Sequence, residues 1–491
     1  MTRSNVPRRP VAGFNSALLA SSTLVALALL AVPPAAANPT GPTAVGGAPD
    51  LSGVVPGPVA VVGLTQPRTI IDWTGFDVDP GDTTKFIFGG KNWIVFNRVN
   101  GGSATIGGQL LGCMDVAHCS ISDPLTAFGG NIWLYASDGI IVGPGGVIKS
   151  GGSLLTTSPM TTADADFLAG TEPTALQFDF GAAAAGTSVS MQAGAQIESS
   201  GGTIALVAPA VSTAAGSSVT APAGSASALY GATNAYRIKF LQNGSNDLDL
   251  VSFEVPAGQA GGTAAAAPIA LGGSTSAGNV YIAAVRQSSI IDALIDITGT
   301  VTAAQASTVG GNIVLSAGGI TNNAAAAPDP ASGRLGVTAT AAITADNQVQ
   351  IAATGAVSAS APVTARTLSG TSDGGADFGA ANHVAEVGGF TNSGSGAFAL
   401  NNAEAIAVAG PLTNTVGDIS LTTTVGDVTI TGTVDGTGHV VTIASAGGVS
   451  AAGGIVKAAT LTGSSTGTAA LTNAGNVIAT LGRFSNSGGA F

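Results

Sequence analysis

The chain has 491 residues, 27 of them acidic and 15 basic, so its formal charge is -12 at neutral pH. Charged residues make up only 9% against the usual quarter, and 72 glycines with abundant Ala, Thr, Ser and Val take their place. With five lysines (Lys85, Lys91, Lys149, Lys239, Lys457) the chain lacks the clustered cations that nucleic acid or anionic lipid requires of a partner, and its mean hydropathy of +0.44 argues against disorder.

Residues 1–37 read as a secretory signal. Arg3, Arg8 and Arg9 make a positive start, and the run from Leu18 to Val32 is apolar apart from Ser21, Ser22 and Thr23. Ala35-Ala36-Ala37 then offers a small-residue cleavage site before Asn38. A transmembrane anchor is the competing reading, but the run falls short of the roughly 20 residues that a span needs. Cleavage would remove three arginines and no acid, leaving -15 on the mature chain. No later apolar segment is long enough to span a membrane as a helix.

Between Trp93 and Thr157 short apolar runs alternate with glycine turns. Trp93, Val95, Ile132 and Leu134 alternate with smaller or polar neighbours, the period of half-buried strands. Gly101-Gly102, Asp138-Gly139 and Gly143-Pro144-Gly145-Gly146 separate the runs with turn chemistry.

The same stretch carries a family resemblance. Asn97-Arg98-Val99 followed by Gly101-Gly102 resembles the N-R-V-x-G-G segment of filamentous-haemagglutinin-type exoproteins, the secreted partners of two-partner secretion. Asp138-Gly139-Ile140, Gly143-Pro144-Gly145 and Gly152-Ser153-Leu154 are similar to that family's N-P-N-G-I-x-F-G-P-G…G-G-L run. Ala136-Ser137-Asp138-Gly139 stands where the family has Asn-Pro-Asn-Gly. Upstream, Ile71-Asp72-Trp73 with Phe76 resembles its I-x-W-x-x-F opening, and downstream Asp164 to Gly170 resembles a D-A-D-F-x-A-G element. The resemblance implies a secretion domain over residues 38–180, recognised by a partner outer-membrane β-barrel transporter of a Gram-negative cell. Its motif positions are Asn97, Arg98, Val99, Gly101, Gly102, Asp138, Gly139, Ile140, Gly143, Pro144 and Gly145. Neither catalysis nor a cofactor is implied.

Cys113 and Cys119 are the only cysteines, with Met-Asp-Val-Ala-His between them. In an oxidising compartment the first reading is a disulfide closing this small loop, and free thiols are the second. A metal site with Asp115 and His118 is the third, short of the four ligands of structural zinc. The loop stands as an insertion where the resembled family has a plain turn.

Residues 181–491 are repetitive. Thr203-Ile-Ala-Leu-Val-Ala208, Gly278-Asn-Val-Tyr-Ile-Ala283, Gly311-Asn-Ile-Val-Leu315, Gly417-Asp-Ile-Ser-Leu421 and Gly426-Asp-Val-Thr-Ile430 belong to one phrase, G-(D/N/T)-φ-x-φ with φ apolar. One such strand cannot bury its apolar face alone, so the strands must stack into a solenoid. Short strands with glycine turns select an all-β fold, a right-handed parallel β-helix capped by the N-terminal secretion domain. At about 20 residues and about 4.8 Å per coil, the mature chain would make a rod on the order of 100 Å long.

A longer repeat overlies this one. The segment Val363 to Gly370 returns as Val456 to Gly463, and Phe390 to Gly394 as Phe484 to Gly488, an offset of 93 or 94 residues. The second copy stops at Phe491, so the sequence predicts a coil cut in mid-repeat within a longer exoprotein. Capping by another subunit is the alternative.

Other constellations are weaker. Asn243, Ser245, Asp247, Asp249 and Glu254 have EF-hand spacing, but Leu248 occupies the place that needs Gly, so a polar loop is the better reading. Asp373-Gly-Gly-Ala-Asp377 resembles a calcium nonapeptide without its tandem repetition. His118, His383 and His439 lie in unrelated contexts, and Gly394-Ser395-Gly396 is a turn sooner than a nucleophile elbow. The sequence thus points to a secreted surface adhesin whose β-helix is a rod for attachment or aggregation, toward a cell-surface receptor that the residues do not name. A β-helix polysaccharide-acting enzyme, a structural matrix protein and the N-terminal part of a toxin-delivery exoprotein are the alternatives.

Overall fold

The computed structural model describes residues 38–171, 176–242, 247–256, 268–284, 293–306, 309–310, 312–316, 320–321, 324–325 and 336–490. The expected signal at 1–37, and Asn243 and Ser245 of the candidate calcium loop, lie outside them.

Strands β1 (Thr43–Gly46), β2 (Asp50–Gly53) and β3 (Val59–Gly63) come first. Three-stranded coils follow: β4 (Arg68–Trp73), β5 (Phe76–Val78) and β6 (Thr83–Ile87), then β7 (Ile94–Val99), β8 (Ser103–Ile106) and β9 (Gln109–Cys113). The third coil is β10 (Asn131–Ala136), β11 (Gly139–Val142) and β12 (Val147–Ser150). The fourth begins with β13 (Gly152–Thr156), loops out through α1 (Asp164–Ala169) and β14 (Gln177–Phe180), and resumes with β15 (Ser188–Met191) and β16 (Gln196–Ser199). After β17 (Ile204–Ala208), β18 (Ala210–Thr213), β19 (Ser218–Thr220) and β20 (Ser227–Ala232) comes a second excursion, the hairpin β21 (Tyr236–Gln242) and β22 (Leu248–Glu254).

Equivalent strands pair in parallel. Face A is β4–β7–β10–β13–β17–β20, face B is β5–β8–β11–β15–β18, and face C is β3–β6–β9–β12–β16–β19. β1 and β2 pair antiparallel with β4 and β3. Alternate side chains turn inward, so Leu134, Leu155, Leu206 and Tyr230 stack in register within one continuous core that extends to Ala469. The fold is the parallel β-helix that the strand phrases predict.

Two expectations need correction. The strands around Trp93 and Ile132 were expected to be half-buried, yet all six residues of β10 are buried. The reason is a second apolar column on the outer side of face A: Ile70, Phe96, Trp133, Leu154, Ala205 and Leu229 stack in register. The excursions fold back over that column as an antiparallel β14–β21–β22 sheet, bringing Phe178, Phe180, Tyr236, Ile238, Phe240 and Phe253. The coil length of about 20 residues holds in the later coils and fails in the earlier ones. Strand partners from residue 336 onward are 19 to 22 residues apart, as with Val349, Leu368 and Val387 or Ile419 and Val441. Ser153 and Ile204 are 51 apart and Ala228 and Val280 are 52 apart, because the excursions leave the coil between them.

The polar residue of the repeat phrase has a local job. Asp418 Oδ1 accepts the Val440 N–H at 3.0 Å, and Asp427 Oδ1 accepts the Gly448 N–H at 2.6 Å. Buried asparagines act alike, Asn382 Oδ1 accepting from the Val363 N–H at 2.8 Å and Asn402 Oδ1 from the Val384 N–H at 2.9 Å. Each satisfies a backbone donor on a neighbouring coil at a corner where the strand ladder is interrupted.

Candidate functional site

Strand β7 places Asn97 inward, between Ile71 of β4 and Leu134 of β10. A fully buried amide in an apolar column needs partners, and it has them. Its Oδ1 accepts the Trp73 indole N–H at 2.9 Å, and its Nδ2 donates to the Trp133 carbonyl at 3.2 Å. Trp73 in turn meets Phe76 edge-on at 5.4 Å. Arg98, the next residue, points the other way. Its Nε and Nη2 donate to Asp72 at 2.6 and 3.2 Å, and its Nη1 donates to both Asp164 oxygens at 2.7 and 3.0 Å. Partial burial works against the Arg98 charge, but the two carboxylates outweigh it and hold its pKa above the ordinary value.

Asp164 opens α1, and the same helix buries Phe167 against Phe96, Trp133 and Phe178. Arg68 Nη1 donates to the Phe167 carbonyl at 2.9 Å, with its guanidinium 5.5 and 5.4 Å from the Phe167 and Phe178 rings. At the next corner Ser137 joins two coils. Its hydroxyl oxygen accepts the Gly101 and Gly102 N–H groups at 2.9 and 3.1 Å while its hydroxyl donates to Asp138 at 2.9 Å. The Asp138 N–H reaches the Gly102 carbonyl at 3.1 Å. Gly101 and Gly139 have φ of 81° and 129°, which disfavour a side chain there. Ile140 enters the core, and the Gly143 N–H bonds the Ile106 carbonyl of the preceding coil at 2.8 Å. Four segments separated in sequence, at 71–76, 97–102, 137–146 and 164–170, thus form one connected structure. Ser137 enters the sequence reading only as a departure from the family's Asn-Pro-Asn-Gly, and its bridging role has no signal there beyond a hydroxyl directly before Asp-Gly.

A family model described as the TPS secretion domain matches residues 58–327, more than half of the chain. The chain belongs to the two-partner secretion family. Among solved structures it is similar to the HMW1 secretion domain from Haemophilus influenzae, at 14% identity, TM-score 0.43, covering 91% of this chain and 100% of that one. It is also similar to the filamentous hemagglutinin secretion domain, at 14% identity, TM-score 0.33, covering 74% of this chain and 98% of that one. No curated protein matches. A two-partner secretion exoprotein is exported through the periplasm, and its family implies a partner transporter of the two-partner type. The family is one of secretion domains, not of enzymes.

Within this two-partner secretion domain the motif positions divide by exposure. Asn97, Val99, Gly139, Ile140 and Gly143 are buried, Arg98 and Gly102 are half-buried, and Gly101, Asp138, Pro144 and Gly145 are exposed. Cys113 and Cys119 form a disulfide with a Cα separation of 5.6 Å. Exposed Asp115, lowered by hydrogen bonds from the His118 N–H and ring, caps the small loop. The remaining candidates do not assemble. His383 sits on a strand in register with Thr364, and His439 Nδ1 is 4.0 Å from Asp418 on another coil. Burial pushes the Asp247 carboxyl up.

Proposed function

We propose that this exoprotein is an adhesin, delivered to the cell surface by a partner outer-membrane β-barrel transporter after removal of residues 1–37. Residues 38–180 carry the motifs that the transporter uses, and the β-helix from 181 onward displays the binding surface. The observation that supports the division of labour is the split within the motif. Asn97, Val99 and Ile140 make the domain's core, while the corners at Gly101, Asp138, Pro144 and Gly145 are exposed and Arg98 and Gly102 are half-buried, so the motif serves both folding and recognition. The observation that supports attachment is the outward chemistry of the later coils. Ser420, Thr442 and Thr462 lie in register on three successive coils, with the Thr442 and Thr462 hydroxyls 3.0 Å apart, and Asn401 and Thr422 pair in register on two. Lys457, a scarce cation, is paired with Asp435 at 2.9 Å. Uncharged hydroxyl and amide rows suit many weak, repeated contacts, whose combined strength comes from multivalency.

The deciding experiment identifies the partner transporter gene in the same genome, deletes it and measures the chain in periplasm and supernatant. Trapping in the periplasm, together with loss of cell attachment, is the expected result. Normal export would remove the assigned partner, and trapping in the periplasm with attachment unchanged would remove the adhesin role.

A further inference from the structure

Cys113 and Cys119 are 0% and 2% exposed, packed with Leu111 and Phe128 in a small core of their own. The lobe that contains them, residues 113–129, folds back as an irregular hairpin: Cys113 and Phe128 bridge antiparallel, and the Gly129 N–H reaches the Gly112 carbonyl at 3.0 Å. Coils later in the chain hold it down. Lys149 Nζ on β12 donates to the Ile121 carbonyl at 3.1 Å, lies 5.7 Å from the Phe128 ring and pairs with Glu198 on β16 at 3.1 Å. The Ser200 hydroxyl donates to the Phe128 carbonyl at 2.9 Å. Once the third and fourth coils are stacked, a protein oxidant has no route to either sulfur. In the unfolded chain the two thiols are separated by five residues and meet by local motion alone.

We propose that the Cys113–Cys119 bridge is made in the periplasm on the still unfolded chain, by a disulfide-bearing protein oxidant, so that the transporter receives a chain already closed into a small loop. The proposal rests on the export reading above. In the first step one cysteine thiolate attacks the oxidant's disulfide, whose S–S bond breaks to give a mixed disulfide. The second thiolate then displaces the oxidant's sulfur. The chain loses two electrons and two protons, and the oxidant departs as a dithiol. Burial sets the order, since catalysed oxidation must precede coil assembly.

The full chain, with its own N-terminal residues, is produced in a Gram-negative host that has no two-partner transporter. The periplasmic fraction is acid-quenched and treated with a maleimide-linked polyethylene glycol before and after reduction. Protease-sensitive chain with no tag before reduction and two tags after it is the expected result. The same chain from a host lacking its periplasmic disulfide-donating oxidase should take two tags without reduction. Two tags without reduction in the normal host, or a bridge confined to the protease-resistant fraction, overturns the proposal. So does an unchanged bridge in the oxidase-deficient host. Chain recovered only in the cytoplasm is a distinct outcome that breaks the export reading and takes this proposal with it.

Discussion

Asn97 is fully buried, and its loss would take the acceptor from the Trp73 indole N–H inside the core. Asn97→Ala should cost about 1–3 kcal/mol, the penalty of a buried donor left unmade, read as a lower melting temperature and as less protein in the supernatant. A full-strength melt with reduced export would move Asn97 from folding to direct recognition. Gly139→Val should fail differently. The backbone there has φ of 129° and a Cβ would stand 3.3 Å from the Ser188 carbonyl, so a β-branched residue blocks the turn and secretion should fall sharply. Unchanged supernatant levels for this variant would remove the turn from the list of requirements. Asp435 carries a pH dependence. Burial pushes its carboxyl up, but hydrogen bonds from Thr437 and Lys457 outweigh that and hold it below the ordinary value. A depressed folded pKa contributes stability that is present above the unfolded value, near 4, and is lost as pH falls through the folded one. Lys457→Met should therefore shrink the loss of melting temperature between pH 7 and pH 3, and an undiminished loss would show that the pair carries none of it. At this scale the sequence names the motif residues but not their directions, since Asn97 faces the core while Arg98 beside it faces Asp72 and Asp164.

Among the elements, the excursion sheet decides the size of the folding unit. The outer column of face A contains Phe96, Trp133 and Leu154, and its cover comes from α1, β14, β21 and β22. A fragment ending at residue 180 keeps the motifs but lacks the β21–β22 hairpin. It should bind a hydrophobic dye and melt without cooperativity, whereas a fragment through residue 327 should melt in one transition. Cooperative melting of the shorter fragment would remove the cover from the unit. The strands themselves are legible, because Val95, Ile132 and Leu134 keep the period of two. The two-sided burial was also written there, in the unbroken apolar run Ile132-Trp133-Leu134-Tyr135, but the segments that cover it come more than a hundred residues later for β21 and β22. No local pattern links them.

At the level of the whole molecule, the same cover ties residues far apart in the chain into one packing event. Trp133 meets Phe178 at 4.8 Å and Phe240 at 5.8 Å, so the ring cannot be enclosed until 45 and 107 further residues are present. Contacts of such sequence separation make folding slow, because chain closure must be completed before any packing rewards it. For an ordinary enzyme that delay is a hazard. For a chain that must cross a compartment and pass a narrow opening, it is a grace period: the polypeptide stays pliable while it waits for its exit. Shortening the excursions to make the domain fold faster would then lower the amount that leaves the cell.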